Sequence, residues 1–228
     1  MSAANRTAIV IVAALAAPAA ADEWRGGATL QYDASYVHHL AGAGGDATAE
    51  PPPVDGLGLA GLRLRGFASK TAIGYLVGVD LYAGSTNPAG FAYRADLYPI
   101  GAGMRLGAFG LAGIGGGIGA SGAIGTLDDG VELPVEAFVD LGLGGRVRVL
   151  ARARAVWLPA TPTREDGAVT VGFADELDAT VALRWGRRYH DFGFPSGNGY
   201  FVGVAYREAH GARFAGAVLG YSVDVGSR

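Results

Sequence analysis

The 228 residues predict an all-β chain, a single antiparallel up-and-down sheet closed on itself as a barrel of about ten strands, with eight and twelve as the outer bounds of the count. Two observations predict it. Apolar and polar residues alternate with a period of two over stretches of about 9 to 14 residues, longer than the usual five or six of soluble sheets. Glycine is abundant, at 39 residues; it costs about 1 kcal/mol per site inside a helix but suits turns, strands and close backbone packing.

The chain opens with Arg6 in a short polar start, an apolar run over residues 8–17, then Pro18 and small residues through Ala19 and Ala21. That order is the pattern of a cleaved secretory signal over residues 1–21, leaving residues 22–228 as one barrel domain. The apolar run is short of the roughly 20 residues a membrane-crossing helix needs. Cysteine is absent, so an exported chain must draw its stability from something other than disulfides, and sheet closure supplies it.

Residues 24–39 place Ala28, Leu30, Tyr32, Ala34 and Tyr36 on one face and Thr29, Gln31, Asp33 and Ser35 on the other, a first strand. A Gly- and Pro-rich stretch with Pro51, Pro52 and Pro53 follows as an exposed loop. Residues 56–68 set Leu62 and Leu64 against Arg63, Arg65 and Phe67. A short turn at Ser69 and Lys70 leads into residues 71–84, with Ile73, Tyr75, Val77, Val79 and Leu81 opposite Gly74, Gly78, Asp80 and Tyr82. Asn87 and Pro88 mark the next loop. Residues 91–98 form a fourth strand with Arg94 and Asp96 on one face, and residues 99–103 are expected to interrupt it. In residues 104–119 one parity is almost all glycine; glycine facing inward makes room for bulk, so arginines or tyrosines are expected across from it.

The central hairpin, residues 131–158, carries the informative pattern. Leu133, Val135, Ala137, Val139 and Leu141 share a face against Glu132, Pro134, Glu136, Phe138 and Asp140. After Gly144 and Gly145, the apolar set Val147, Val149, Ala151, Ala153, Ala155 and Trp157 opposes Arg146, Arg148, Arg152 and Arg154. Acids on one strand can meet arginines on the next. Residues 159–167 read as a loop. Residues 169–185 then bring Glu176 and Asp178 to the second flank of the arginine strand. Residues 186–199 read as a connection, and residues 200–208 and 213–225 as the last pair of strands.

A soluble sandwich would bury the apolar face and leave the charges in water, whereas a membrane barrel turns that face to lipid and folds the charges inward. The uncharged apolar sets favour the second arrangement. So do Trp24, Tyr36, Tyr75, Trp157, Trp185, Tyr200, Tyr206 and Tyr221, which sit at or near strand ends as girdles do. Short and long connections alternate, except that the stretch after Trp185 is long on the side where short ones belong.

On this signal, these alternating strands and a final strand FAGAVLGYSVDV, the chain resembles small monomeric, porin-like bacterial outer-membrane β-barrel proteins. The resemblance implies export to the bacterial outer membrane, with the lipid bilayer and the outer-membrane insertion machinery as partners. It implies a structural or narrow-pore role in the envelope. That family usually ends on an aromatic residue, whereas this chain ends Val225, Gly226, Ser227, Arg228. The competing reading is a soluble periplasmic or secreted barrel that binds an apolar small ligand in its cup.

The candidate site is a lumen charge network of Arg146, Arg148, Arg152, Arg154, Glu136, Asp140, Glu176 and Asp178. It serves either to fill a narrow tube or to select ions, since about eight strands leave an interior only wide enough for side chains. No nucleic-acid partner is expected from a net charge of −3 without a basic cluster outside the strands. His38, His39, His190 and His210 are scattered, and strand neighbours point apart, so no metal centre is expected; nor is any cofactor. Enzymatic chemistry is not expected either: Asp191 beside His190 is a lone close pair, Ser121 and Ser196 lack a positioned base, and the glycines of residues 113–119 precede neither a helix pattern nor a placed Lys.

Overall fold

The computed structural model describes residues 25–40, 54–106, 110–124, 127–144, 146–159, 163–165, 168–170, 173–189, 196–209 and 212–227. Ten long strands follow one another around a closed antiparallel barrel: β1 (Arg25–His39), β2 (Gly56–Ser69), β3 (Ile73–Asn87), β4 (Gly90–Arg105), β5 (Gly110–Ile124), β6 (Leu127–Gly144), β7 (Val147–Pro159), β10 (Phe173–Tyr189), β11 (Ser196–Ala209) and β12 (Ala212–Ser227). Two short strands, β8 (Thr163–Glu165) and β9 (Ala168–Thr170), pair separately between β7 and β10. The barrel closes where β1 pairs with β12, from Gly26 opposite Ser227 to His39 opposite Phe214. Within the barrel itself no strand is left as an edge. The end at which β1 begins and β12 finishes is called the terminal end here, and the opposite one the loop end.

The shortest barrel strand has 13 residues and the longest 18. At about 3.3 Å per residue and a tilt of roughly 40°, the shortest still rises about 30 Å along the barrel axis.

Three sequence expectations are corrected. The fourth strand does not stop at Pro99. It runs on to Arg105, and its pairing with β5 shifts between Leu97 and Ile100. That bulge absorbs the proline, which has no N–H to donate, and it exchanges the inward parity: Tyr98 is buried while Ile100 is 72% exposed. Met104 therefore belongs to β4, and the glycine-rich strand starts at Gly110. The stretch 186–199 is mostly strand, because β10 runs to Tyr189 and β11 starts at Ser196, with Trp185 opposite Tyr200 and Tyr189 opposite Ser196. The long connection at the terminal end thereby shrinks. Strand β10, the eighth of the barrel, starts at Phe173, since residues 168–170 are taken by the small β8–β9 pair.

The inward glycines of β5 do leave room for bulk. A side chain on Gly113 would meet the Phe138 ring at 2.7 Å, and Gly115 lies against Tyr98. An arginine occupies the same kind of space two strands away, where Arg65 covers Gly78 on β3. The signal region 1–24, the loop 41–53, and His190, Asp191 and His210 lie outside the described residues. His38 is exposed, and His39 packs edge-on against Phe214 with ring centroids 5.6 Å apart.

Candidate functional site: the charged interior

The alternation that builds each strand also decides what the tube contains. On β2 it turns Arg63 and Arg65 inward, on β3 Asp80 and Tyr82, on β4 Arg94, Asp96 and Tyr98, on β6 Glu132 and Glu136, and on β7 Arg154, all of them buried or nearly so. Across the tube stand Asp33 of β1, Glu176 and Asp178 of β10, and Arg207 of β11.

Arg154 is at the centre and is fully buried. Its Nε and Nη2 donate to the two oxygens of Asp96 at 2.8 and 3.0 Å, Nη2 also donates to Glu132, and Nη1 reaches Asp178 at 3.4 Å. Glu132 accepts a further bond from Ser121 at 2.8 Å, and Asp96 one from Tyr98 at 3.2 Å. Arg65 is held as fully: Nε and Nη2 donate to Glu136 at 3.0 and 2.7 Å, and Nη1 donates to Asp80 at 2.6 Å and to the Leu64 carbonyl at 2.9 Å. Such multiply bonded pairs are the arrangement in which a desolvated charge is tolerated, because every lost water is replaced by a fixed partner.

The belt extends from these two. Arg63 reaches Asp80 at 3.3 Å and donates to the Tyr82 hydroxyl at 2.8 Å, and that hydroxyl donates in turn to Asp33 at 2.9 Å. Arg94 donates to Asp178 at 3.0 Å and lies 4.4 Å from the Tyr82 ring centroid, as Arg65 lies 4.7 Å from that of Tyr98. Arg207 donates to Glu176 at 2.9 Å. Arg152 approaches Glu136 at 3.4 Å and Asp80 at 3.6 Å.

A second charged layer lies nearer the terminal end. Arg148 donates to Asp140 at 2.5 Å, Arg184 approaches the other oxygen of Asp140 at 3.6 Å, and Arg184 donates to Asp224 at 2.5 Å. Between the layers the walls are apolar, and the loop end is capped by Val37, Val54, Leu57, Leu59 and Phe214.

The eight sequence candidates separate as follows. Arg152, Arg154, Glu136, Glu176 and Asp178 fall in the central belt, and Arg148 and Asp140 in the second layer. Arg146 does not join them. It occupies the β6–β7 turn and is exposed, because a tight turn has no inner face to present. Neighbouring-strand pairs of the expected kind form, Arg154 with Glu132 and Asp178, Arg152 with Glu136 and Arg148 with Asp140, and bonds across the tube are added to them. Glu136 stands opposite Arg154 in register, yet Glu136 binds Arg65 of β2 while Arg154 reaches Asp96 of β4. In a narrow closed tube a long side chain meets the far wall as readily as the adjacent strand. Arg63, Arg65, Asp80, Tyr82, Arg94, Asp96, Arg184, Arg207, Asp33, Glu132 and Asp224 were not in the candidate set. Their signal was the same inward parity, legible in each segment separately.

No protein-family model matches the sequence, and no curated protein matches it either. Among solved structures, the chain is similar to the translocator domain of the autotransporter NalP from Neisseria meningitidis, at 13% identity and a TM-score of 0.34, over 96% of this chain and 94% of that one. It is also similar to the toluene transporter TbuX from Ralstonia pickettii, at 7% identity and a TM-score of 0.24, over 94% of this chain and 93% of that one.

Proposed function

We propose that the chain is an integral outer-membrane β-barrel protein of the bacterial envelope, in which the two charged layers brace a narrow tube. Its role is structural, or limited to slow passage of small solutes. The observation that carries the reading is the outer wall. Among the strand residues whose burial is described, the outer face carries Glu208 and Arg213, paired with each other at 3.6 Å at the loop end of β11 and β12, and otherwise no exposed Asp, Glu, Lys or Arg, while every one of these strands exposes a large apolar side chain, such as Leu64, Leu81, Leu183, Val204 and Leu219. Soluble domains rarely expose contiguous apolar patches beyond a few hundred Å². A girdle of this kind, rising about 30 Å, matches the hydrocarbon core of a bilayer. The soluble-barrel reading needs charged groups across the middle of that wall, and among the described side chains none stands there.

Two measurements test it. The folded protein is expected to need detergent for extraction and to run faster on a gel unboiled than boiled, as closed barrels do; a monodisperse protein without detergent would remove the reading. Val204, 65% exposed near the middle of β11, is the second probe. Val204→Arg is expected to cost about 2–4 kcal/mol of folding stability in lipid vesicles. In a wall that faces water the same change would be nearly neutral.

A further inference from the structure

The central belt does not fill the tube evenly. On β3, β4, β6 and β7 its members Asp80, Asp96, Glu132, Glu136 and Arg154 are 0 to 2% exposed. On the arc of β10, β11 and β1 the inward positions at this level carry Thr29, Thr180, Ala182, Gly203 and Ala205, too short to cross the tube. Gln31, Arg152 and Thr180 accordingly stay partly exposed although they point into the barrel. A cavity of about 80 Å³ lies on the terminal-end side of these three and one of about 50 Å³ on the loop-end side, and Gln31, Arg63, Arg152 and Thr180 line both. A water takes about 10–15 Å³ of such space, so each cavity has room for several. Both linings mix the two signs of charge, Glu136 and Asp140 with the arginines of the first, Asp33 and Asp178 with those of the second. The slot is therefore suited to water and not to an ion, which would lose its hydration there without meeting a ring of opposite charge.

What closes the tube beyond this slot is apolar. Val37, Leu57 and Leu59 line the smaller cavity and belong to the cap with Val54 and Phe214. Val54 is 3% exposed and is the one member of these five outside a strand. The adjacent Asp55 pins it: the Asp55 N–H donates to the Asn87 carbonyl at 2.6 Å, and the Asp55 carbonyl accepts from the His39 N–H at 2.8 Å. A constriction walled by carbon stops water without any charge. At the other end Arg148 and Asp140, in the layer beyond the larger cavity, are partly exposed.

We infer that the seal of this barrel is the apolar cap and not the charged belt: water enters from the terminal end, passes the belt through the slot at Gln31 and Thr180, and is stopped by Val54 and Phe214. This deepens the bracing role by assigning closure to a different part of the tube, and it rests on the membrane-barrel reading.

The test is osmotic shrinkage of lipid vesicles holding the folded full chain, followed by stopped-flow light scattering against empty vesicles. The wild-type protein and Arg152→Gln are both expected to shrink at the empty-vesicle rate, because neither opens the cap. Val54→Gly and Phe214→Ala, which withdraw the seal from opposite sides, are each expected to shrink at least about fivefold faster. Val54 lies outside the strands, so its replacement removes no strand pairing, and either variant that migrates as a folded barrel suffices. Adding Thr180→Phe, which fills the slot without removing a charge, is expected to restore the empty-vesicle rate. Fast shrinkage of the wild type or of Arg152→Gln, cap variants no faster than empty vesicles, or a cap variant that stays fast with Thr180→Phe would each overturn the inference. Unboiled gel mobility of every sample separates the outcomes. Any of these results in proteins that migrate as folded barrels counts against the cap and slot alone, whereas loss of that mobility in the wild type counts against the membrane barrel.

Discussion

Inward positions on β2, β3, β4, β6 and β7 carry arginines, carboxylates and tyrosines that meet across the tube, whereas the wall of β11 and β12, apart from Arg207 and Asp224, presents Gly199, Gly203, Gly216 and Gly220 with Phe201, Ala205 and Val218 between them. The first wall fills space with long polar side chains and must then satisfy every one of them. The second gives up side chains so that neighbouring backbone and the Phe201 ring can come close. A side chain on Gly220 would run into that ring and the Tyr32 carbonyl, and one on Gly203 would meet the Ala182 side chain at 2.6 Å. One wall is therefore sensitive to removal and the other to addition.

The largest effect is expected from Arg154→Ala, which strands Asp96, Glu132 and Asp178 in the interior at once. The cost should be about 3–5 kcal/mol in the denaturant midpoint of unfolding, followed by unboiled gel mobility. A loss under about 1 kcal/mol would mean that water reaches the belt freely, and the contrast between the walls would collapse. Next comes Gly220→Leu, which overfills the opposite wall and should cost about 1–3 kcal/mol by the same assay. If this substitution were neutral, the small residues there would be spacing and not close packing. Arg152→Gln should cost less than either, about 1 kcal/mol, because it removes only long contacts and relieves an unmet donor. If it matched Arg154→Ala, Arg152 would brace the belt as firmly as Arg154 does.

How much of this was legible in the sequence depended on range. The period of two is local, so the inward and outward sets of Ile73–Asn87 or Val147–Pro159 could be read without knowing any neighbour. Up-and-down order followed from the short connections. Partner choice was not local. Nothing near Arg154 names Asp96, which is 58 residues away, as the carboxylate that grips it; that follows only from closure, tilt and a diameter that brings opposite walls within one arginine's reach. Pro99 misled for a related reason. A proline ends a strand by local rules, but a bulge flanked by paired strands on both sides can carry it. Arg146 misled in the opposite direction, since parity extends into a turn on paper but not in space.

Arg146 therefore supplies the smallest and most discriminating expectation. It shares parity with Arg148, Arg152 and Arg154, and by alternation alone its truncation should resemble theirs. In the structure its side chain is exposed in the turn at the terminal end, where water screens a charge and no buried carboxylate depends on it. Arg146→Ala should shift unfolding by no more than about 0.5 kcal/mol. Arg148→Ala, two residues further along, removes the 2.5 Å contact to Asp140 and should cost clearly more. The pair isolates geometry from composition: same residue type, same hairpin, same nominal face. Equal costs at the two positions would show that the turn's guanidinium folds back into the second charged layer, and that layer would then have to be redrawn around three arginines instead of two.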